Sequence, residues 1–193
     1  MFLVKYSSSG AYQWSKCAGA TAQDIGADVA TDTNGSIVVT GKFQGAVDFG
    51  GGQLTSTSPM SPDAFVIKYS PSGGHIWSMA LGANYGVTNR VAVDRSGNIA
   101  LTGYFIGAAN FGGGPVSSAG GGMDIFVAKY SPNANHIWSA RFGDTGSDIG
   151  RSIAVDVSGN IVVAGSFRLT VGFGYGSMST NGYDQAFLVR FIP

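Results

Sequence analysis

Two sets of side chains in this sequence have a chemical type suited to ligand binding and a regular spacing. Trp14, Trp77 and Trp138 could stack on a sugar ring, and His75 and His136 could bind a metal ion. A residue needed once in every repeat usually packs between repeats, so we interpret the tryptophans as structural. Two histidines 61 positions apart, without a third ligand, do not predict a metal site. We therefore expect no metal ion and no cofactor.

The acidic residues could in principle serve catalysis or bind a cation. All eleven are aspartates. The segment DTGSD (144–148) is similar to part of a calcium loop but lacks the acidic residue at the loop's far end. No serine-nucleophile motif and no Ser/His/Asp or Cys/His set is recognisable, and we interpret Cys17 as a small packed residue. We predict no catalytic residue and no enzymatic activity.

One short segment occurs four times along the chain, at spacings of 63, 61 and 61 residues: Phe2–Tyr6, Phe65–Tyr69, Phe126–Tyr130 and Phe187–Phe191. Other residues keep the same step, among them the structural series Phe49, Phe111 and Phe173 and the turn series Asp32, Asp94 and Asp156. A period of about 61 residues predicts a repeat architecture. It divides residues 1–193, which we expect to form a single repeat domain, into repeat 1 (2–64), repeat 2 (65–125), repeat 3 (126–186) and an extra copy of the first strand (187–193).

Each repeat reads as four strands, here taken from the last full copy. Residues 151–156 (RSIAVD) form strand A, 160–167 (NIVVAGSF) strand B, 126–130 (FVAKY) strand C and 135–142 (NHIWSARF) strand D. The Asp and Gly between strands A and B are typical of a tight hairpin turn. A four-stranded meander at a fixed period indicates an all-β fold made of β-propeller blades.

A basic residue recurs in strand C, in step with the aspartate of the A–B turn. The four positions are Lys5, Lys68, Lys129 and Arg190. The pattern leaves open whether these residues pair with the aspartates or reach solvent, where such a pair contributes little. The Gly-rich elements that begin at Asp48 and Asn110 are expected to let a loop fold flat against the blade.

The longest motifs resemble a known family. They are F-V-x-K-Y-S-P-x-G-x-H-x-W, S-I-A-V-D-x-S-G-N-I-V-V-x-G-x-F and the D-F-G-G-G element at residues 48–52. Over essentially the whole chain they are similar to SBBP β-propeller repeats of bacteria. The resemblance implies an extracellular or cell-surface location, a binding or adhesive role and no catalytic residues. We expect the chain to depart from the family in having only three repeats and no export signal.

Composition excludes several other roles. The net charge is zero and only 11% of residues are charged, so we expect no nucleic-acid partner. No apolar run approaches the roughly 18 residues that a membrane helix needs, so we expect no membrane insertion. The first residues run directly into repeat sequence, and we expect no signal peptide in this chain.

The number of repeats predicts an assembly. Propellers have about four to eight blades, and three repeats do not close a ring. The sequence opens with strands C and D and ends with strands A, B and C. We expect two chains to form a six-bladed homodimer whose closing blades are shared. The surplus strand C either pairs on an edge or is displaced. A fragment of a longer array and a single-chain β-trefoil or β-prism remain alternatives.

The loops between strand D and the next strand A differ from repeat to repeat and, since strand direction alternates, lie on the channel face of the predicted disc. Variable loops on a regular scaffold are common recognition sites. The candidate ligand-binding residues are Asp24, Asn84, Tyr85, Asp144 and Asp148. We predict a non-catalytic binding or scaffold module that assembles by completing blades between chains and presents this face to a glycan or a surface protein. The alternatives are a lectin-like propeller and a hydrolase or lyase at the channel mouth.

Overall fold

Runs of β-branched and aromatic residues, separated by turns rich in Gly, Asn and Ser, fold this chain into strands. The computed structural model describes residues 1–19 and 22–192, and every regular element in these ranges is a β-strand, as predicted. None of the described residues belongs to a helix that could cross a membrane. The strands are β1 (Phe2–Tyr6), β2 (Tyr12–Cys17), β3 (Ile25–Thr31), β4 (Ile37–Phe43), β5 (Ala46–Asp48), β6 (Gln53–Thr55), β7 (Asp63–Tyr69), β8 (His75–Val93), β9 (Ile99–Asn110), β10 (Pro115–Ser117), β11 (Asp124–Tyr130), β12 (His136–Phe142), β13 (Ile149–Val155), β14 (Ile161–Phe167), β15 (Thr170–Gly172), β16 (Ser177–Ser179) and β17 (Gln185–Phe191).

Antiparallel pairing groups these strands into successive units, and the strands present in each unit follow the spatial order A–B–C–D. We call them the N-terminal hairpin (β1–β2), blade 1 (β3, β4, β7 and the first part of β8), blade 2 (the rest of β8 with β9, β11 and β12) and blade 3 (β13, β14 and β17). Among the described residues the hairpin therefore holds strands C and D only, and blade 3 holds strands A, B and C. The extra copy of strand C pairs with β14 in blade 3.

Two features of the strands differ from the sequence prediction. Strand D of blade 1 and strand A of blade 2 form one continuous strand, β8, rather than two strands joined by a loop. The connection between strands B and C carries a small hairpin of its own, β5–β6 in blade 1 and β15–β16 in blade 3, while β10 pairs with the end of β9 in blade 2. Strands of three residues are too short to leave a periodic signal in the sequence.

The hydrophobic core lies between neighbouring units. Along β7, Val66 faces blade 2 while Phe65 and Ile67 face the N-terminal hairpin. Alternate side chains thus enter different cores, and β7 and β11 are buried along their whole length. Three such cores lie in sequence between the hairpin, blade 1, blade 2 and blade 3.

A glycine in strand B makes room for the phenylalanine of strand C. A Cβ atom on Gly41 would lie 2.9 Å from Phe65 Cζ, and one on Gly103 would lie 3.0 Å from Phe126 Cε1. Both rings are fully buried. The recurring glycine after the apolar run of strand B is therefore a packing requirement, because a Cβ atom there would overlap a strand A carbonyl oxygen, that of Ile25 or of Val87, and would also crowd the core aromatic ring.

The aspartate of each A–B turn holds both the turn and strand C. Asp94 Oδ1 accepts hydrogen bonds from the backbone N–H groups of Ser96 and Asn98, at 2.9 and 2.8 Å. Its Oδ2 lies 3.4 Å from Lys129 Nζ, and in blade 1 Asp32 Oδ2 lies 3.0 Å from Lys68 Nζ. These two pairs are buried, whereas the third pair, Asp156 with Arg190, is largely exposed. The basic residues of strand C in blades 1 to 3 thus pair with aspartate.

These contacts change the acidity of the turn carboxylates. Burial alone would raise the pKa of Asp94, but the hydrogen bonds from Asn98 and the charge of Lys129 outweigh it, so the pKa lies below 3.8. The pKa of Asp156 is likewise lowered, chiefly by its hydrogen bond from the Asn160 side chain. The ionised form of these turns is therefore the form that the fold stabilises.

The difference in burial between the equivalent pairs predicts a difference in stability. Asp94→Ala should lower the free energy of unfolding by about 2–3 kcal/mol, because it leaves Lys129 buried without a counter-charge. Asp156→Ala removes the same turn hydrogen bonds but leaves an exposed arginine, so its loss should be smaller. Urea unfolding at pH 7 measures both, and equal losses would contradict the assigned role of the buried pair.

The histidines of strand D pack against the Gly-rich elements. The imidazole of His75 lies against Gly51, where a Cβ atom would overlap its ring. In blade 2 a Cβ atom on Gly113 would lie 2.8 Å from His136 Cε1. The histidines therefore pack against backbone, and the third glycine-rich element has Tyr175 at the matching position. That tyrosine is fully exposed.

The contact predicts coupling between Gly51 and His75. Gly51→Ala should destabilise the protein by about 1–2 kcal/mol, because the added methyl group displaces the imidazole. In a His75→Ala background the same change should cost clearly less. A double-mutant cycle by thermal or urea unfolding tests this, and strictly additive losses would show that the ring does not set the requirement for glycine.

Candidate binding surface

The predicted ligand-binding residues lie at the edge of the blades where strand A begins and strand B ends. Asp24 precedes strand A of blade 1, Asn84 and Tyr85 lie where strand A of blade 2 begins, and Asp144 and Asp148 precede strand A of blade 3. Ala20 and Thr21, in the first of these loops, lie outside the described residues. Asn84 is exposed, Asp148 is buried, and the other three are half-buried.

An aromatic pair marks this edge of blade 2. The ring of Tyr85 stacks on that of Tyr104, with centroids 6.2 Å apart and an interplanar angle of 25°. Burial and a hydrogen bond with Tyr85 raise the pKa of Tyr104 to about 12. Arg151, whose charge acts on Tyr104, donates from Nε to the Ser166 hydroxyl at 3.1 Å. The pair and the arginine form a polar and aromatic surface across blades 2 and 3.

Sequence reasoning missed Tyr104 and Arg151 because both lie inside strands. The matching position at the end of strand B is Lys42 in blade 1, Tyr104 in blade 2 and Ser166 in blade 3. Such variation within an otherwise repeated strand is the signal that could have found them. Charge and ring size thus change from blade to blade at this position on the face.

Two buried carboxyl groups meet beneath the third loop. Asp124 and Asp148 are fully buried, and a Cβ atom on Gly143 would lie 2.7 Å from Asp148 Oδ2 and 3.0 Å from Asp124 Oδ1. Asp148 accepts hydrogen bonds from the backbone N–H groups of Asp144 and Arg168, both at 3.1 Å. It therefore brings Asp144 close and fixes the loop.

Asp124 has a different set of partners. Its Oδ2 accepts from the Ala119 N–H at 3.1 Å and from Arg141 Nη1. Its Oδ1 is buried without a hydrogen-bond partner. Burial keeps both carboxyl groups away from a substrate in this structure.

Burial has a clear electrostatic consequence for this pair. It raises the pKa of Asp124 and of Asp148, and the charge of Asp144 acts in the same direction on both. The hydrogen bonds that each carboxyl accepts lower its pKa but do not offset burial. Between pH 3.8 and the raised pKa values, the folded protein therefore holds protons on these two carboxyl groups that the unfolded chain would release.

The sign of this effect predicts the pH dependence of stability. Above pH 3.8, up to the raised pKa values of Asp124 and Asp148, the free energy of unfolding should fall as pH rises, because the folded state binds more protons. Asp124→Asn keeps an oxygen for Ala119 and Arg141 and should flatten this fall. Below pH 3.8 the turn aspartates act in the opposite direction, since protonation removes their stabilising charge.

Urea unfolding between pH 4 and pH 8 measures the profile. Asp63→Asn in blade 1 is the matched control. Asp63 is the blade 1 counterpart of Asp124, but the position equivalent to Asp148 is occupied there by Gly86, which has no carboxyl group. An unchanged slope in Asp124→Asn, or an equal change in Asp63→Asn, would contradict the assignment to the buried pair.

The recurring aromatic residues lie within and between units. The indole N–H of Trp14 donates to the Pro71 carbonyl at 3.2 Å, and that of Trp77 to the Pro132 carbonyl at 3.1 Å, so each links one unit to the next. Trp138 packs on Phe191, with ring centroids 6.0 Å apart. The phenylalanine series packs inside the blades, with Phe49, Phe111 and Phe173 against Phe65, Phe126 and Phe187.

Two apolar grooves lie where the outer units have open sheet edges. The groove beside β1 is lined by Leu3, Trp14, Val29 and Ile37 among others. The groove beside β17 is lined by Trp138, Ile161, Phe191 and Ile192 together with polar neighbours. Phe2 is 80% exposed and Leu188 is 74% exposed. These are the faces that a neighbouring blade covers elsewhere in the molecule.

No group of three or more metal-ligating side chains occurs within residues 1–19 and 22–192. His136 Nε2 instead lies 3.0 Å from the Ser139 hydroxyl, and each histidine packs edge-on against the tyrosine of its strand C. Cys17 is exposed on β2 rather than packed, so its interpretation as a packed residue is wrong. Strand D ends there at the open outer edge of the hairpin.

Comparison with known proteins agrees with the repeat architecture. The chain is 29% identical to an uncharacterized WD repeat-containing protein of Acanthamoeba polyphaga mimivirus, in an alignment that covers 87% of this chain. The chain spans only 14% of the length of that relative. Residues 137–166, which run from β12 through β13 into β14, match the family model described as SBBP, a β-propeller repeat. The resemblance to SBBP β-propeller repeats predicted from the sequence is confirmed by this match at residues 137–166.

Proposed function

We propose that this chain is a non-catalytic binding or scaffold module that assembles with a second copy by completing blades, and that it presents the Tyr85–Tyr104 face to a partner. The observation that carries the proposal is the complementarity of the outer units. Among the described residues the N-terminal hairpin has strands C and D and blade 3 has strands A, B and C, so the hairpin would supply the strand D missing from blade 3, and blade 3 the strands A and B missing from the hairpin.

The exposed apolar surface supports assembly. Val29 on β3 is half exposed, although the corresponding Val91 and Ile153 in the other blades are buried. Contiguous exposed apolar faces mark interaction sites. A second copy placed through a two-fold axis would cover both grooves and give a closed ring of six blades. The other possible occupant is a neighbouring repeat of a longer protein, consistent with the small share of the relative that the chain spans.

The partner of the assembled disc would bind on the Tyr85–Tyr104 face, where the variable loops lie. Aromatic rings and a guanidinium group at one edge suit a glycan or the surface of another protein. An extracellular or cell-surface location, which the SBBP resemblance implies, is part of this proposal.

Light scattering over a hundredfold range of concentration tests the assembly. We expect a dimer with twice the 19.8 kDa mass of the chain. Deletion of residues 1–17, which removes the hairpin, should give a monomer. Val29→Asp should weaken the dimer about tenfold or more, because it places a charge in the covered groove. Met60→Asp, at an exposed apolar position on a loop of blade 1, is the matched control and should not weaken it.

A folded monomer at every concentration would overturn the assembly part of the proposal. The grooves would then be assigned to neighbouring repeats of a longer chain.

A further inference from the structure

Three side chains of strand C make the same contacts in both complete blades. The phenylalanine lies over a glycine of strand B, as described for Phe65 and Phe126. The lysine pairs with the aspartate of the A–B turn. The tyrosine hydroxyl donates to the carbonyl of the phenylalanine in the B–C connection, at 2.9 Å from Tyr69 to Phe49 and 2.6 Å from Tyr130 to Phe111. A strand that fully occupies the strand C position therefore makes all three of these contacts.

Strand β17 of blade 3 makes only part of this set. Phe187 lies over Gly165, where a Cβ atom would be 2.7 Å from its ring. Arg190 replaces lysine and is more than half exposed in its pair with Asp156. Phe191 has no hydroxyl group to donate to the Phe173 carbonyl. Strand β17 is therefore a weaker occupant of the strand C position than β7 or β11.

Strand β1 has all three of these side chains, as Phe2, Lys5 and Tyr6, but they do not make the three contacts. Phe2 and Tyr6 are exposed, and Lys5 Nζ donates to the Pro71 carbonyl at 2.7 Å rather than to a carboxylate. β1 pairs with β2 on one edge only, and no other strand among the described residues pairs with it. Its sequence, FLVKY, aligns with FLVRF of β17 and is identical to it at the first three residues.

We propose that β1 of a second copy takes the strand C position on β14 and displaces β17. In a single chain β17 occupies this position and competes with β1 of the second copy for it. This inference rests on the self-assembly proposed above. In the register of β17, Phe2 would lie over Gly165, Lys5 would pair with Asp156, and the Tyr6 hydroxyl would donate to the Phe173 carbonyl. Strand β2 would then supply strand D of the closing blade.

Tyr175 adds a second barrier to this exchange. It stands where Gly51 and Gly113 leave room for the strand D histidine, and Tyr12 is the residue of β2 at that histidine's position. Tyr12 already packs edge-on against Tyr6, with centroids 6.3 Å apart, as His75 packs against Tyr69 at 6.0 Å. A Cβ atom at this position would crowd the strand D ring, so the backbone at Tyr175 or the ring of Tyr12 must shift before β2 can dock, and glycine here favours the closed blade.

Charge reversal tests the exchanged pair, and Asp156→Lys alone measures the separate cost of losing the turn hydrogen bonds that Asp156 accepts. Lys5→Asp alone should raise the dissociation constant of the dimer about tenfold, because it places two carboxylates together. The combination of Lys5→Asp with Asp156→Lys should restore it to within about threefold of the value for Asp156→Lys alone. Lys42→Asp, the same charge change on blade 1, is the matched control. Failure of the double variant to restore affinity relative to Asp156→Lys alone would overturn the exchange, since residues 5 and 156 would then not be paired in the dimer.

Two further variants relieve the competition. Deletion of residues 187–193 and Tyr175→Gly should each tighten the dimer, measured by sedimentation velocity. If the parent is a dimer and the deletion abolishes it, β17 is itself the interface; this overturns the exchange and leaves self-assembly intact. If the deletion does not fold, Tyr175→Gly and the charge cycle decide alone. A parent and variants that are all monomeric overturn both proposals.

Discussion

The structure depends on one constraint, namely that each sheet must be covered on both faces by its neighbours. Strands such as β7 and β11 place apolar side chains in two different cores, so a blade separated from its neighbours would expose core residues on both sides. The cores, the tryptophan bonds between units and the buried Lys–Asp pairs all depend on this arrangement. The outer faces of the hairpin and of blade 3 are the places where the constraint is not met within the described chain.

Much of this fold could be predicted from the sequence because its strongest signals are local and repeated. The spacing of the FVIKY-type segments indicated strand C, and the Asp and Gly of the turns indicated the A–B hairpins. The continuous strand β8 was not predicted, because Gly82 and Gly86 favour a loop in isolation. In the folded protein residues 82 and 83 instead pair with Asn110 and Ala109, and tertiary pairing overrides the local preference.

The candidate site was less accessible to sequence reasoning, since periodicity identifies what is common to the blades and a binding surface depends on how they differ. The variable loops led to Asn84 and Tyr85, but the partner ring of Tyr104 lies within a strand. Asp148 shows a further difficulty: a loop aspartate chosen for its polarity is buried and hydrogen-bonded to backbone. Whether a carboxylate faces solvent or the loop beneath it depends on long-range packing, as with Asp124 from strand β11.

The continuity of β8 also bears on how such an array could grow. Counted from strand C, a 61-residue period of the sequence crosses the boundary between two sheets, since each sheet begins at strand A. A duplicated segment therefore contributes its first two strands to one sheet and its last two to the next. A tandem duplication of one period would insert a complete blade's worth of strands while leaving the flanking sheets whole. Such an insertion would lengthen the chain without creating an unpaired edge in its interior.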